Sequence, residues 1–170
     1  IAEAKYSIGL IHQNGLGVKP DNSKAFEWYF KAAEQGDAKA QHQVAKMYTN
    51  GIGVDQDDKT AIYWHRKAAD QGFANSFFSL SAMYSVGRGV AQDYSQSIIL
   101  VKIAAELGQV KAQHLLAMYY EGGIHLNKDL KQAAYWYLKA AEQGEAGAQL
   151  NLYLVYTKGN GVSQNYEKAL

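Results

Sequence analysis

The sequence predicts an all-α protein, an α/α right-handed superhelix (solenoid) of 36-residue helix-loop-helix repeats. Three observations carry this. First, His12, Tyr48, Tyr84, Tyr120 and Tyr156 recur at a spacing of 36, with no insertion between copies. Second, each is followed three residues later by a glycine (Gly15, Gly51, Gly87, Gly123, Gly159). Two residues further on come Gly17, Gly53, Gly89 and Gly161, with His125 the one exception. Third, apolar residues within a copy fall at intervals of three and four, the mark of a helix, and no segment alternates as a strand does. A fixed period of this length means one supersecondary unit stacked on copies of itself. The expected domain is a single one, 1–170, with repeats at about 1–36, 37–72, 73–108 and 109–144 and a partial copy at 145–170. About nine full helices and a stub are expected.

The elements follow in order within each copy. The first helix carries Ala40, Val44, Met47 and Tyr48, repeated as Ala112, Leu116, Tyr119 and Tyr120. Gly51 comes where a left-handed residue closes that helix at little steric cost. Gly53 gives the loop a second permissive position, and Val54 is expected to tuck under the turn. Asp57 is placed to cap the second helix, as are Asp21, Asp93, Asp129 and Asn165 in the other copies. The second helix carries Ala61, Trp64, Ala68 and Ala69, echoed at Ala25, Trp28, Ala32 and Ala33 and at Ala133, Trp136, Ala140 and Ala141. Small residues there let helices approach closely, and tryptophan fills the wider gap. Removing Trp64 or Trp136 is expected to cost about 3–5 kcal/mol each. Gly36, Gly72, Gly108 and Gly144 end the second helix and begin the next copy.

Composition excludes several function classes. The 17 basic and 16 acidic side chains nearly cancel, so no global field steers the chain to nucleic acid or an anionic membrane. No apolar run is long enough for a membrane span. There is no cysteine, hence no disulfide framework and no thiolate metal site. The chain starts at Ile1, without methionine, and stops at Leu170 in mid-repeat, so it is expected to be a fragment of a longer protein.

The pattern A-x-x-x-L-A-x-x-Y-x-x-G-x-G-V-x-x-D, then K-A-x-x-W-x-x-K-A-A-x-Q-G, resembles the Sel-1-like repeat family, a branch of the tetratricopeptide-like α/α solenoids. Trp28 to Gly36 and Trp136 to Gly144 match it almost residue for residue, and the resemblance covers the whole chain. Leu100 and Ile103 depart from it, standing where tryptophan and lysine are expected. His125 departs too, and its loop is expected to differ. The resemblance implies a scaffold or adaptor in complex assembly or signalling and, in bacteria, host-interaction or envelope roles. A bacterial source is expected, with the compartment left open: cytoplasm, periplasm or outside the cell.

The loops G-L-G-V, G-I-G-V and G-R-G-V lack the third glycine and preceding strand of a dinucleotide fingerprint, and the lysine of a phosphate loop. Asp55, Asp57 and Asp58 crowd one loop, but Thr60 and Arg66 stand where an EF-hand needs glycine and glutamate. None of the five histidines pairs with another at metal-binding helical spacing. Some relatives in the resembled family are associated with β-lactams, but those are cysteine-rich, and no serine here has lysine three positions on. No enzyme, cofactor or metal is therefore expected.

What remains is a binding surface. If the chain resembles tetratricopeptide domains in this respect, its first helices line a concave face. Six residues before the recurrent tyrosine come Tyr6, His42, Phe78, His114 and Leu150, and two before it come Leu10, Lys46, Met118 and Leu154 (Ala82 in the third copy). These nine larger side chains, rimmed by Lys39, Lys111 and Glu121, are the candidate protein-binding residues for a peptide or protein partner. The competing expectation is that some of them pack against the next repeat. The alternative functions are an enzyme or ligand-binding protein acting on cell-wall-like or β-lactam molecules, and a self-assembling repeat joined end to end.

Overall fold

The structure is a computed structural model that describes residues 1–165 and 167. Among the described residues it contains nine α-helices and no strand, as the periodicity predicts. They are α1 (Ala2–Asn14), α2 (Asn22–Ala33), α3 (Ala38–Asn50), α4 (Asp58–Ala69), α5 (Ala74–Val86), α6 (Tyr94–Glu106), α7 (Val110–Gly122), α8 (Leu130–Glu142) and α9 (Ala146–Lys158). The stub of a tenth helix expected after Asn165 lies outside the described residues, Glu167 apart.

The chain divides into two compact units, Ile1–Asp93 and Tyr94–Leu170. In the first, α1 packs on α2, α2 on α3, α3 on α4 and α4 on α5. Its core gathers Ala25, Ala32, Ala33, Ala40, Val44 and Trp64 around the fully buried Tyr29. In the second, α6 packs on α7, α7 on α8 and α8 on α9, with Ala117, Ala133, Ala140, Ala148 and Val155 around the fully buried Tyr137. Alanine lets the helices approach and one tyrosine per core fills the space they leave. Gly9 belongs to the same fit, since a Cβ there would lie 2.6 Å from the Tyr29 ring.

Each loop is closed the same way. The carbonyl of the recurrent tyrosine accepts the amide of the residue that opens the second helix, at 3.0 Å for Asp57 to Tyr48 and 2.9 Å for Asp129 to Tyr120. His12 accepts from Asp21 at 2.9 Å, so the histidine substitution leaves the bond intact. The His125 loop keeps this closure, contrary to expectation, because His125 itself takes a left-handed φ of 58°. Its ring stacks on Tyr94, at the start of α6 in the preceding copy, with centroids 4.4 Å apart.

Gly53 is held for two reasons. Its φ is 71°, and an added Cβ would meet the Asn22 carbonyl oxygen at 2.3 Å. Gly36, with φ 90°, has nothing within 4 Å of the same position. Gly53→Ala is therefore expected to cost at least about 2 kcal/mol, and Gly36→Ala only the backbone strain of about 1–2 kcal/mol. Equal urea midpoints for the two variants would contradict the close approach.

The helix caps are partly those expected. Asp21 accepts from the Lys24 amide, Asp57 from Lys59 and Thr60, and Asp129 from Lys131 and Gln132. The first helices have caps too, from Asp37, Gln109 and Glu145, while Phe73 at the same place offers no side-chain bond. A second recurrent device joins neighbouring copies. Gln41 donates to the Ala33 carbonyl at 3.2 Å and accepts from Gln71 at 2.8 Å. Gln113 does the same with Ala105 at 3.1 Å and Gln143 at 2.8 Å. These amides are second donors to the carbonyls at the ends of α2 and α6, which also accept the turn amides of Gly36 and Gly108.

Candidate protein-interaction surface

The first helices display the nine candidate residues, five in the first unit and four in the second. In the first unit, Tyr6 is half-buried, its ring tilted against Tyr29 with centroids 5.3 Å apart. Leu10 is half-buried against the same core. His42 is half-buried, with Nδ1 2.9 Å from the Ser76 hydroxyl and its ring 5.1 Å from His65. Phe78 is half-buried and Lys46 is exposed. In the second unit, His114 Nδ1 lies 2.9 Å from the Glu145 carboxylate and its Nε2 3.1 Å from the Asn151 amide nitrogen. Met118, Leu150 and Leu154 are 46%, 62% and 38% exposed, which leaves them as the free apolar side chains of the set.

The row thus has two layers. Tyr6, His42 and His114 rest on second-helix residues, Tyr29, His65 and Tyr137 respectively. These three contacts lie within single copies; His42 also meets Ser76 and Phe73, and His114 Glu145 and Asn151, of the following copy, whereas Lys46, Met118, Leu150 and Leu154 stand out from the surface. Glu121 is no free rim charge: its carboxylate accepts from the buried Tyr137 hydroxyl at 2.6 Å. Gln13 takes the Tyr29 hydroxyl at 2.6 Å in the same way. Burial raises the pKa of both tyrosines above the usual phenol value, helped at Tyr137 by the Glu121 carboxylate.

The joint beneath His42 is polar and almost dry. His65 is 1% exposed, and its Nδ1 lies 3.4 Å from Ser76 Oγ. Because Ser76 has a single proton, a consistent chain runs from His65 N–H to the serine oxygen and from the serine O–H to His42 Nδ1. Burial, with repulsion from Lys46, pushes His42 down to about 4. Burial, then His42 and Lys46, pushes His65 down to about 3. The sequence shows both histidines but not their meeting, since they lie 23 residues apart on different helices.

Two recesses open on the first-helix face of the first unit. One, of about 220 Å³, is lined by Lys39, His42, Gln43 and Lys46 of α3 with Tyr6, Phe73 and Asn75. The other, of about 430 Å³, shares Tyr6, Lys39 and Phe73 and adds Leu10, Glu3 and Asp37. No group of three or more histidine, cysteine or acidic residues is placed to hold a metal among the described residues, and none of their helices is long and apolar enough to cross a membrane.

Helix pairs repeated at a fixed period define an α/α repeat solenoid, a class whose members work through their surfaces. The chain belongs to the Sel1 repeat family, whose model matches residues 2–37, 38–73, 78–109, 110–145 and 146–170. Sel1 repeats mediate protein–protein interactions, and the family is typically a non-catalytic scaffold. The chain is similar to a Sel1 repeat protein from Oxalobacter formigenes, 37% identical with a TM-score of 0.96, over 99% of this chain and 49% of that one. It is also similar to c5321, a protective antigen of uropathogenic Escherichia coli, 36% identical with a TM-score of 0.89, over 99% of this chain and 36% of that one. A short match joins it to chitin synthase regulatory factor 3 of Schizosaccharomyces pombe, 45% identical over 40 residues, which is 24% of this chain and 4% of that protein. The chain therefore spans about half or less of the length of these relatives.

Proposed function

We propose that this chain is a non-catalytic scaffold that holds a peptide or protein partner along the face formed by its first helices. The observation that carries the reading is the exposure of Met118, Leu150 and Leu154 in successive copies, at positions where an isolated helix pair has no reason to keep large apolar side chains in water. Methionine adapts to varied partners, and Met118 and Leu154, one repeat apart, match anchors spaced along an extended or helical segment.

The test places a charge on this face without touching the core. Met118→Glu and Leu150→Glu are compared with Tyr63→Glu, a change at an exposed position on a second helix. Peptides are first selected on the parent from a random displayed library and their dissociation constants measured. The two first-helix variants are expected to weaken binding about tenfold or more, and the Tyr63 variant less than twofold. Loss at Tyr63 with no loss at Met118 or Leu150 would move the binding surface to the second helices and sink this reading.

A further inference from the structure

We infer that the second repeat selects an acidic side chain in its partner, received between Lys39 and Lys46 beside His42, with a neighbouring apolar side chain lodged in the adjoining recess. This rests on the scaffold reading and adds the chemistry of the occupant.

The two lysines are seven residues apart on α3, two turns along one helix face. Both are exposed and both line the smaller recess. Neither has a carboxylate within ion-pair distance among the described residues, where the pairs formed by lysine or arginine are Lys24–Asp21, Arg88–Asp58 and Lys139–Glu142. His42 supplies a third donor. In the chain in which the Ser76 hydroxyl donates to His42 Nδ1, Nε2 carries the ring proton, and no hydrogen-bond partner stands at Nε2 among the described residues. Two ammonium groups and an imidazole N–H around one concavity form a receptor for a carboxylate, because charge-assisted hydrogen bonds are the strong ones and the site holds no anion of its own.

The adjoining recess differs in character. Its acids are Glu3 and Asp37, and the Asp37 carboxylate is engaged by the Ala40 amide at 2.8 Å. Leu10, Tyr6 and Phe73 give it apolar walls suited to an aliphatic or aromatic side chain. Shared lining by Tyr6, Lys39 and Phe73 makes the two recesses neighbours, within reach of nearby residues of one segment.

The charge pattern is local to this copy. At the Lys39 position the chain has Glu3, Lys39, Asn75, Lys111 and Gly147, and at the Lys46 position Leu10, Lys46, Ala82, Met118 and Leu154. The second repeat alone carries lysine at both. An acidic residue is thereby placed at one point along a partner that is otherwise read by apolar contacts, which fixes its register.

The experiment selects random twelve-residue displayed peptides on the parent chain and measures them against Lys39→Ala/Lys46→Ala in 50 and 500 mM sodium chloride. Both lysines are exposed, and circular dichroism checks that the variant keeps its helices. Expected are peptides enriched in aspartate or glutamate next to an apolar residue. They should bind the double variant about tenfold more weakly, with a similar loss in high salt. Peptides sensitive to Met118→Glu or Leu150→Glu, yet without acidic enrichment and indifferent to the lysine pair, would overturn this inference and leave the scaffold reading standing. Enrichment of basic peptides would also overturn it. Peptides indifferent to both sets of substitutions, or no enriched peptide at all, would count against both.

Discussion

Trp64→Ala is expected to lower the unfolding free energy by about 3–5 kcal/mol. Trp64 is 7% exposed and sits edge-on to Phe30 with centroids 5.5 Å apart. Removing the indole opens a cavity between alanine-lined helices, whose short side chains cannot move in to fill it. A domain of this size has about 5–15 kcal/mol in hand, so a large share of its stability rests on this one contact. The sequence treats Trp64 and Trp136 alike, but the structure separates them. Trp136 is half-buried and meets the exposed Tyr135 edge-on at 5.0 Å. Trp136→Ala is therefore expected to cost less, about 1–2 kcal/mol, because less apolar area returns to water. Urea unfolding of both variants checks this, and a Trp136 loss equal to that of Trp64 would contradict the difference in burial.

Acidification from pH 7 to pH 4 is expected to remove on the order of 3 kcal/mol for each histidine of the His42–His65 joint. The folded values of about 4 and about 3 both lie below the usual 6.5, since burial penalises the imidazolium and Lys46 repels it. The unfolded chain therefore takes up protons first as pH falls. The stability is fully present above 6.5 and is lost as pH descends through that value toward 4. A control is written in the chain itself. The third copy has Phe78 and Val101 where the second has His42 and His65, and the four other copies have alanine where Ser76 stands. The His42→Phe/His65→Val/Ser76→Ala variant should lose most of this acid slope in thermal melts between pH 7 and pH 4. A parent whose melting temperature is flat over that window, or a variant that falls as steeply, would show that the joint is not the titrating element.

Much of the fold was legible because it is written as a period. Helix identity, the loop glycines and the caps at Asp21, Asp57 and Asp129 depend on short-range geometry, which recurs whenever the same residues do. The glutamines were also visible as recurrences, at Gln41, Gln113 and Gln149 and at Gln35, Gln71 and Gln143. Their role was not, because a bond from Gln71 to Gln41 joins residues 30 apart. The third copy replaces both members together, with Phe77 and Leu107, whereas the first keeps Gln35 and has Lys5 at the partner position.

The candidate surface was legible only in part. An offset from the recurrent tyrosine finds which residues share a helix face, so it located Lys46, Met118, Leu150 and Leu154 among the exposed side chains. It does not report what lies under that face. Tyr6, His42 and His114 belong to the same row by sequence, yet each rests on a second-helix ring brought beneath it by packing.

By itself, then, the sequence determined the all-helical repeat, its period and its punctuation, because backbone conformation answers to near neighbours. Tertiary structure alone decided which tyrosines are core, which histidines are neutral and hidden, and which lysines stand unpaired around a recess. Burial and charge pairing depend on residues 20 to 40 positions away, and no local pattern carries that distance.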